Sequence, residues 1–394
     1  MFPAPPDASG GPPPPSADER LHGERVLAYL RREIAEAGGW IPFADYMNAV
    51  LYAPGLGYYA AGARKFGAEG DFVTAPELTP LFGQTLARQL AQVIAEIRDS
   101  EIIELGPGSG RLCVDVLAAL AEQNALPARY RLLEVSPELR ERQREHISAA
   151  LPDHRARVEW IDRLPECWRG AIIVNEVLDA LPVHLIVRRG SDVLERGVTF
   201  DAAGDLTLAD RALASVGLHE RARTRFPAVG DYVSELNPVA EALVASLAQR
   251  CEQGIMLLID YGFPAAEYYH PQRDQGTLMV HYRHRALTDP LFRPGLADLT
   301  AHVDFSAMAR AGVASGLTVA GFATQAQFLV NCGVLDALGA RGDPQSAAYL
   351  RAANAVQKLT SPAEMGELIK VLALTRGIEP DLIGFRDGDR AHRL

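Results

Sequence analysis

Apolar positions along this chain change their period near residue 100, and that change divides the reading. Ahead of it, Leu27, Leu30 and Ile34 recur at helical spacing and share one face. Ser16 and Glu19 precede them at the spacing of a capping box, so order is predicted to begin at Ser16 and this helix to end at Gly38-Gly39. Another helix is expected from Leu86 to Ile97. Beyond it, apolar runs of strand length alternate with helical stretches. Ile102–Leu105 leads through a glycine-rich turn into a helix from Leu112 to Ala121. "YRLLEV" precedes a helix opened by Ser136-Pro137, with proline at its favoured first position. "RVEWI" ends near Asp162, "AIIV" runs into Asn175, and "GIMLLIDYG" follows much later. Strand and helix alternating across short turns predict a parallel, doubly wound α/β sheet.

Three stretches depart from this rhythm. Residues 1–15 are rich in proline and predict a disordered tail. Residues 16–98 then form an N-terminal helical region with a lid loop, because "LYAPGLGYYAAGARKFGAEGDFVTAPELTPLFG" is dense in Gly, Pro and aromatics. Residues 99–394 form the main α/β domain. Within it, β-rich runs separated by Arg-Gly and Ala-Gly predict inserted antiparallel strands at about 184–235. A loop-rich insertion without clear period is expected at about 264–300.

Composition narrows the class. The 394 residues are 48% hydrophobic and 23% charged, which is a globular composition. The net charge of −11, without a dense Lys/Arg run, argues against a dedicated nucleic-acid binder. No run of some 18 apolar residues predicts a membrane span. The first basic residue is Arg20 and no apolar run precedes it, so neither a secretory signal nor a transit sequence is read, and a cytoplasmic protein is expected. Cys113, Cys167, Cys251 and Cys332 lie far apart, without metal-ligand spacing, and read as small core residues in a reducing compartment.

The glycine turn "ELGPGSGR" carries the candidate chemistry. A dinucleotide fold uses G-x-G-x-x-G, whereas Gly106, Gly108 and Gly110 give G-x-G-x-G and put Arg111 where the third glycine is wanted. Pro107 lies inside the turn, and Glu104 stands just before it. That acid is awkward beside a pyrophosphate but suits an ammonium and a sulfonium. S-adenosyl-L-methionine has both and no phosphate. Glu134, about two dozen residues past Gly110, ends the second strand and is placed to accept from ribose hydroxyls. Asp162 ends the third and is placed to meet an adenine amino group. Each acid alone also reads as a cap or a solvated charge.

A methyl acceptor is expected beyond the fourth strand, at "IIVNEVLDALPVH". Asn175 offers an orienting amide. Glu176 and Asp179, three apart, share a face on a helical turn and suit a cation, although capping and solvation explain them too.

With "ELGPGSGRL", "NEVLDALPV", "GDFVTAPELTPLFG", "IDYG" and "PGLADLTAHVDFS", the chain resembles the MidA/DUF185 family. This family comprises the mitochondrial complex I assembly methyltransferase and its bacterial relatives. The resemblance runs from about Leu27 to the C-terminus. It implies a Rossmann-like class I S-adenosylmethionine-dependent methyltransferase fold and transfer to a protein arginine, on a complex I subunit in the mitochondrial member. It implies that Glu104, Gly106, Pro107, Gly108 and Gly110 hold the methionine part, Glu134 the ribose and Asp162 the adenine. Asp71 and Thr74 of "GDFVTAPE" would cover the cofactor, and Asn175, Glu176 and Asp179 would line the acceptor side. His302 and Asp304 are candidates to take the proton released by the methylated nitrogen, or to serve the fold. A small-molecule methyltransferase and a non-catalytic cofactor-binding assembly factor stand as alternatives, with a nicotinamide dehydrogenase last.

Overall fold

A computed structural model of the chain describes residues 12–61, 74–227, 230–378 and 381–394. The chain divides into two compact units, one drawn from residues 1–73, 180–239 and 269–302 and the other from 74–179, 240–268 and 303–394.

The second unit is an α/β layer structure. Its main strands are β1 (Glu101–Leu105), β2 (Arg129–Leu133), β3 (Val158–Ile161), β4 (Trp168–Asn175), β5 (Cys251–Phe263), β6 (Thr318–Thr324) and β7 (Ile369–Arg376), with the short Val303–Asp304 pairing along the end of β5. The order across the sheet is β3-β2-β1-β4-β5-β7-β6. The first five are mutually parallel, while β7 runs antiparallel to both its neighbours. A dinucleotide sheet has the order 3-2-1-4-5-6. Here a seventh, reversed strand is wedged between the fifth and sixth.

Helices on both sides explain why the middles of β4, β5 and β7 read as apolar runs, since a sheet covered on both faces has no polar side. The helices used below are α1 (Ala75–Leu78), α2 (Pro80–Glu96), α3 (Arg111–Glu122), α4 (Pro137–Ala150) and α5 (Phe305–Ala314). Leu86 and Leu90 of α2 and Val116, Leu117 and Leu120 of α3 enter one core with Ile102, Leu132, Ile173 and Leu257 of the strands. Helices α2 and α3 cross closely at Gly83, where a Cβ would stand 2.6 Å from that of Asp115.

The first unit has its own core of Leu30, Phe43, Met47, Val50, Leu185 and Val198. Its first helix, Ala17–Glu36, carries the expected capping box: the Ser16 hydroxyl accepts from Glu19 N and the Glu19 carboxylate from Ser16 N. Strands His184–Arg189, Asp192–Phe200, Leu206–Ala212 and Tyr232–Leu236 form an antiparallel sheet, joined by the short Ile41–Pro42. Met279–Tyr282, Arg285–Leu287 and Asp298–Thr300 form a second, three-stranded one. Among the described residues no helix is long and apolar enough to cross a membrane.

The reading of all four cysteines as core residues needs one correction. Cys113, Cys251 and Cys332 are buried, but Cys167 is exposed, on the turn that leads into β4. The residues of the Pro-rich head up to Gly11, and Asp71 in the lid segment, lie outside the described residues.

Candidate active site

The strand register brings the sequence candidates into one row. Val174 of β4, Leu105 of β1, Leu133 of β2 and Ile161 of β3 are neighbours across the sheet. The next residue on each strand is therefore Asn175, Gly106, Glu134 and Asp162. At about 4.8 Å between strands, the row spans about 14 Å along the carboxyl edge. It straddles β1, where the strand order reverses, the place where open α/β sheets bind their ligands.

In the glycine turn, Gly106, Gly108 and Gly110 have φ of 59°, 53° and 81°, the left-handed region that glycine enters without strain. Gly106 N donates to Leu133 O, and Gly110 N to Pro107 O, which folds the turn over the end of the sheet. A Cβ on Gly106 would stand 2.9 Å from Val177 Cγ2. Beneath the turn Glu104 is only 3% exposed and accepts a 2.6 Å bond from the Tyr130 hydroxyl. Burial pushes its carboxyl up to about 7, against the opposing pull of that hydroxyl.

At the end of β2, Glu134 is buried and held by three donors. Its carboxylate accepts from Ser136 N at 2.8 Å and from Gln143 Nε2 at 3.2 Å, and Val135 N supplies a further backbone bond. Burial raises its carboxyl and these bonds oppose the rise. Gln143, fully buried on α4, also donates to Gly108 O at 2.8 Å and accepts from Trp160 Nε1 at 2.8 Å. One amide thus ties the glycine turn, the Glu134 carboxylate and β3 together. Arg140 does similar work with the backbone, donating to Glu134 O at 2.6 Å and to Ile161 O at 2.9 Å. It fixes the adjacent ends from which Glu134 and the exposed Asp162 project. Gln143 and Arg140 carry no sequence signature, because a mid-helix polar residue reads as solvated until its partners are known. Val135 has no signature either: this branched apolar residue is 78% exposed beside Glu134.

Beyond β4 the turn is organised from below by Asp260, at the end of β5 and with no exposed surface. Its Oδ2 accepts from Val177 N, Leu178 N and Asp179 N at 3.1, 2.9 and 3.4 Å, and its Oδ1 from Tyr261 N at 2.8 Å. Burial raises its carboxyl despite these bonds. This is the acid of the "IDYG" segment, whose task cannot be read without the fold. Glu176 is drawn into the left-handed region, φ 50°, and its Oε1 accepts from Ala75 N at 3.1 Å and from Asn175 Nδ2 at 3.4 Å. Protein crowds this carboxyl and pushes it up to about 8, opposed by the Ala75 N–H. Asn175 Oδ1 is buried and, among the described residues, accepts no hydrogen bond. Asp179 is buried, and with Glu176 and Asp260 it raises the Tyr261 hydroxyl, itself raised chiefly by burial. Thr74 stands at the N-cap of α1 with its side chain making no capping bond.

The pair His302 and Asp304 divides. Asp304 caps α5, accepting from Ala307 N at 2.9 Å, with Arg310 at 3.6 Å, so its carboxylate is committed to the fold. His302 N donates to Thr277 Oγ1 in the first unit.

The row suits a ligand without phosphate. Its polar side chains are acids and amides, and the one cation at the turn, Arg111, is bound to Glu77 through a carbonyl bond of 3.1 Å and a carboxylate contact of 3.4 Å. Among the described residues, the turn offers a pyrophosphate no cation that is not already paired. An ammonium, a sulfonium and a ribose match what is present. Among the described residues, no group of three or more His, Cys, Asp or Glu is placed to hold a metal ion.

Comparison with known proteins agrees. The model of a family of S-adenosyl-L-methionine-dependent methyltransferases matches residues 85–323. The chain is similar to a Burkholderia thailandensis protein solved with bound S-adenosyl-homocysteine: 49% identity, a TM-score of 0.94, and coverage of 98% of this chain and 100% of that one. It is 31% identical to the protein arginine methyltransferase NDUFAF7 homolog, mitochondrial, of Drosophila melanogaster, over 92% of this chain and 87% of the relative. The Mus musculus protein arginine methyltransferase NDUFAF7, mitochondrial, is 30% identical over 91% and 87%. These relatives are named as mitochondrial, which overturns the plain cytoplasmic expectation. That expectation rested on the composition of the first residues, which does not determine where the folded chain works. The register row, the reversed seventh strand and these similarities converge: the chain belongs to the MidA/DUF185 family of S-adenosyl-L-methionine-dependent methyltransferases.

Proposed function

We propose that this methyltransferase modifies arginine side chains of a protein acceptor, with a complex I subunit as the first candidate target by family resemblance. The observation that carries the reading is the turn beyond β4. It gathers Asn175, Glu176 and Asp179 over Asp260, with no lysine or arginine in residues 175–179. A guanidinium is planar, always charged and rich in donors. Asn175 Oδ1 is a buried acceptor without a donor among the described residues, which costs about 1–3 kcal/mol until an N–H reaches it. Glu176, raised to about 8, is largely protonated at neutral pH, and an incoming cation would favour its ionised form. The relatives named as protein arginine methyltransferases support the same reading.

In this proposal the glycine turn and Glu104 hold the methionine part, Glu134 the ribose, and Asp162 with the open face of Val135 the adenine. Thr74, with Asp71 beyond the described residues, would cover it. The bound cofactor supplies an activated methyl on sulfur. The protein's share is orientation and electrostatics: Asn175, Glu176 and Asp179 localise the guanidinium charge and aim one nitrogen.

The test is transfer of isotopically labelled methyl from the cofactor to protein from the source cell, followed by hydrolysis and mass spectrometry. Label in methylarginine supports the proposal. Label confined to other residues, or to small molecules, refutes it.

A further inference from the structure

We propose that Glu77 is a specificity-determining positioning residue, which holds the glycine turn through Ser109 and neutralises Arg111 so that the turn accepts a cationic ligand.

Helix α1 is a single turn of four residues, too short to persist on its own. It is held from two sides. Ala75 N donates to Glu176 Oε1, and two residues on, the Glu77 carboxylate accepts a hydrogen bond from Ser109 Oγ. Ser109 lies between Gly108 and Gly110, and its Oγ also accepts from Arg111 N at 3.3 Å. Arg111 Nη1 reaches both the Glu77 carbonyl at 3.1 Å and its carboxylate at 3.4 Å. The Glu77 side chain is 12% exposed and that of Arg111 42%, so solvent screens this pair in part. Asp115 of α3 also faces both charges, so the cluster carries no net positive charge. A turn that opens a helix with Arg111 would favour an anion, by its cation and by the helix N-terminus alike. Glu77 cancels the first of these, which leaves room for a sulfonium and an ammonium.

The inference rests on the reading that this turn holds the cofactor. A merely structural role for Glu77 would weaken all ligands alike. A charge role separates S-adenosylmethionine, which carries the sulfonium, from S-adenosyl-homocysteine, which lacks it. Glu77→Gln keeps an oxygen for Ser109 but removes the carboxylate nearest Arg111, leaving Asp115 as its remaining acidic neighbour.

The experiment is calorimetric titration of the full chain with both ligands, for wild type, Glu77→Gln, Glu77→Ala, Ser109→Ala and Gly106→Val, each checked for folding by circular dichroism. In Glu77→Gln the affinity ratio of S-adenosylmethionine to S-adenosyl-homocysteine is expected to fall at least roughly threefold, the scale of one partly screened charge interaction. Glu77→Ala and Ser109→Ala should each weaken S-adenosyl-homocysteine roughly tenfold, the lower end for a hydrogen bond to a charged group. Their combination should be no worse than Glu77→Ala alone, because Ser109→Ala cuts a bond which that variant has already lost. If Glu77→Ala does not fold, Ser109→Ala and Glu77→Gln carry the test. An unchanged ratio in Glu77→Gln, or losses that multiply in the double variant, overturns the inference. If Gly106→Val also binds normally, the cofactor is not on this turn and the underlying reading fails instead.

Discussion

Replacing Glu104 by glutamine tests the burial argument beneath the glycine turn. Glu104 is 3% exposed, its carboxyl is raised to about 7 by burial, and its partner is the Tyr130 hydroxyl. In the unfolded chain the same group titrates near its ordinary value of 4.5. Below that pH both states hold the proton and the group adds nothing to the pH dependence. Between 4.5 and 7 the unfolded chain has lost the proton while the folded chain keeps it, so stability falls as pH rises. Above 7 the loss is complete. At about 1.4 kcal/mol per pH unit, this one carboxyl withdraws about 3 kcal/mol of stability between pH 4.5 and 7.5. The amide of the variant can still accept from Tyr130 but cannot ionise. Relative to wild type, Glu104→Gln should therefore gain about 2–3 kcal/mol between pH 5 and pH 8 in urea unfolding, whatever its offset at pH 5. Cofactor binding adds a second reading. If the ligand ammonium favours ionised Glu104, the wild type releases roughly half a proton on binding at pH 7, seen as a buffer-dependent calorimetric enthalpy. Glu104→Gln should lack that part. A stability difference independent of pH would refute the reasoning, and equal proton release would remove Glu104 from the ligand's surroundings.

Other substitutions probe the remaining parts of the site. Gly106→Val places a branched residue at φ 59°, with its Cβ 2.9 Å from Val177 Cγ2, and should abolish cofactor binding in calorimetry while costing roughly 2–4 kcal/mol of stability. Asp260→Ala leaves four backbone N–H groups without their acceptor; relief of the buried charge offsets part of this, and a net loss of roughly 2–4 kcal/mol is expected in denaturant unfolding. Asp260→Asn should lose about half as much, since one oxygen can still face the three donors of the turn. Gln143→Leu removes three hydrogen bonds at one buried point and should weaken S-adenosyl-homocysteine roughly tenfold.

The row at the carboxyl edge is largely legible in the sequence because it follows from strand ends. Where a strand of known length stops, the next residue projects from the edge, and Gly106, Glu134, Asp162 and Asn175 are found that way. Strands β6 and β7 of the main sheet are not predicted. Ile369–Arg376 is mostly apolar, with Lys370 buried inside it, and periodicity cannot separate such a run from a buried helix. The residues that hold the row in place are also invisible. Gln143, Arg140, Asp260 and Glu77 act mainly through partners 6 to 83 positions away, as with Arg140 and Glu134 or Asp260 and Val177. Polarity alone marks none of them. The exposure of Cys167, in a turn rather than a strand, has the same origin: its neighbours in space are not its neighbours in sequence.

The central claim is that the row from Asn175 to Asp162 is the cofactor site, and calorimetric titration of wild type and Glu134→Ala with S-adenosyl-homocysteine and with NAD tests it most directly. The wild type is expected to bind S-adenosyl-homocysteine and not NAD, and Glu134→Ala to lose roughly a hundredfold in affinity, the worth of about two hydrogen bonds to a buried carboxylate. Undiminished binding by a folded Glu134→Ala, or binding of NAD in its place, would contradict it.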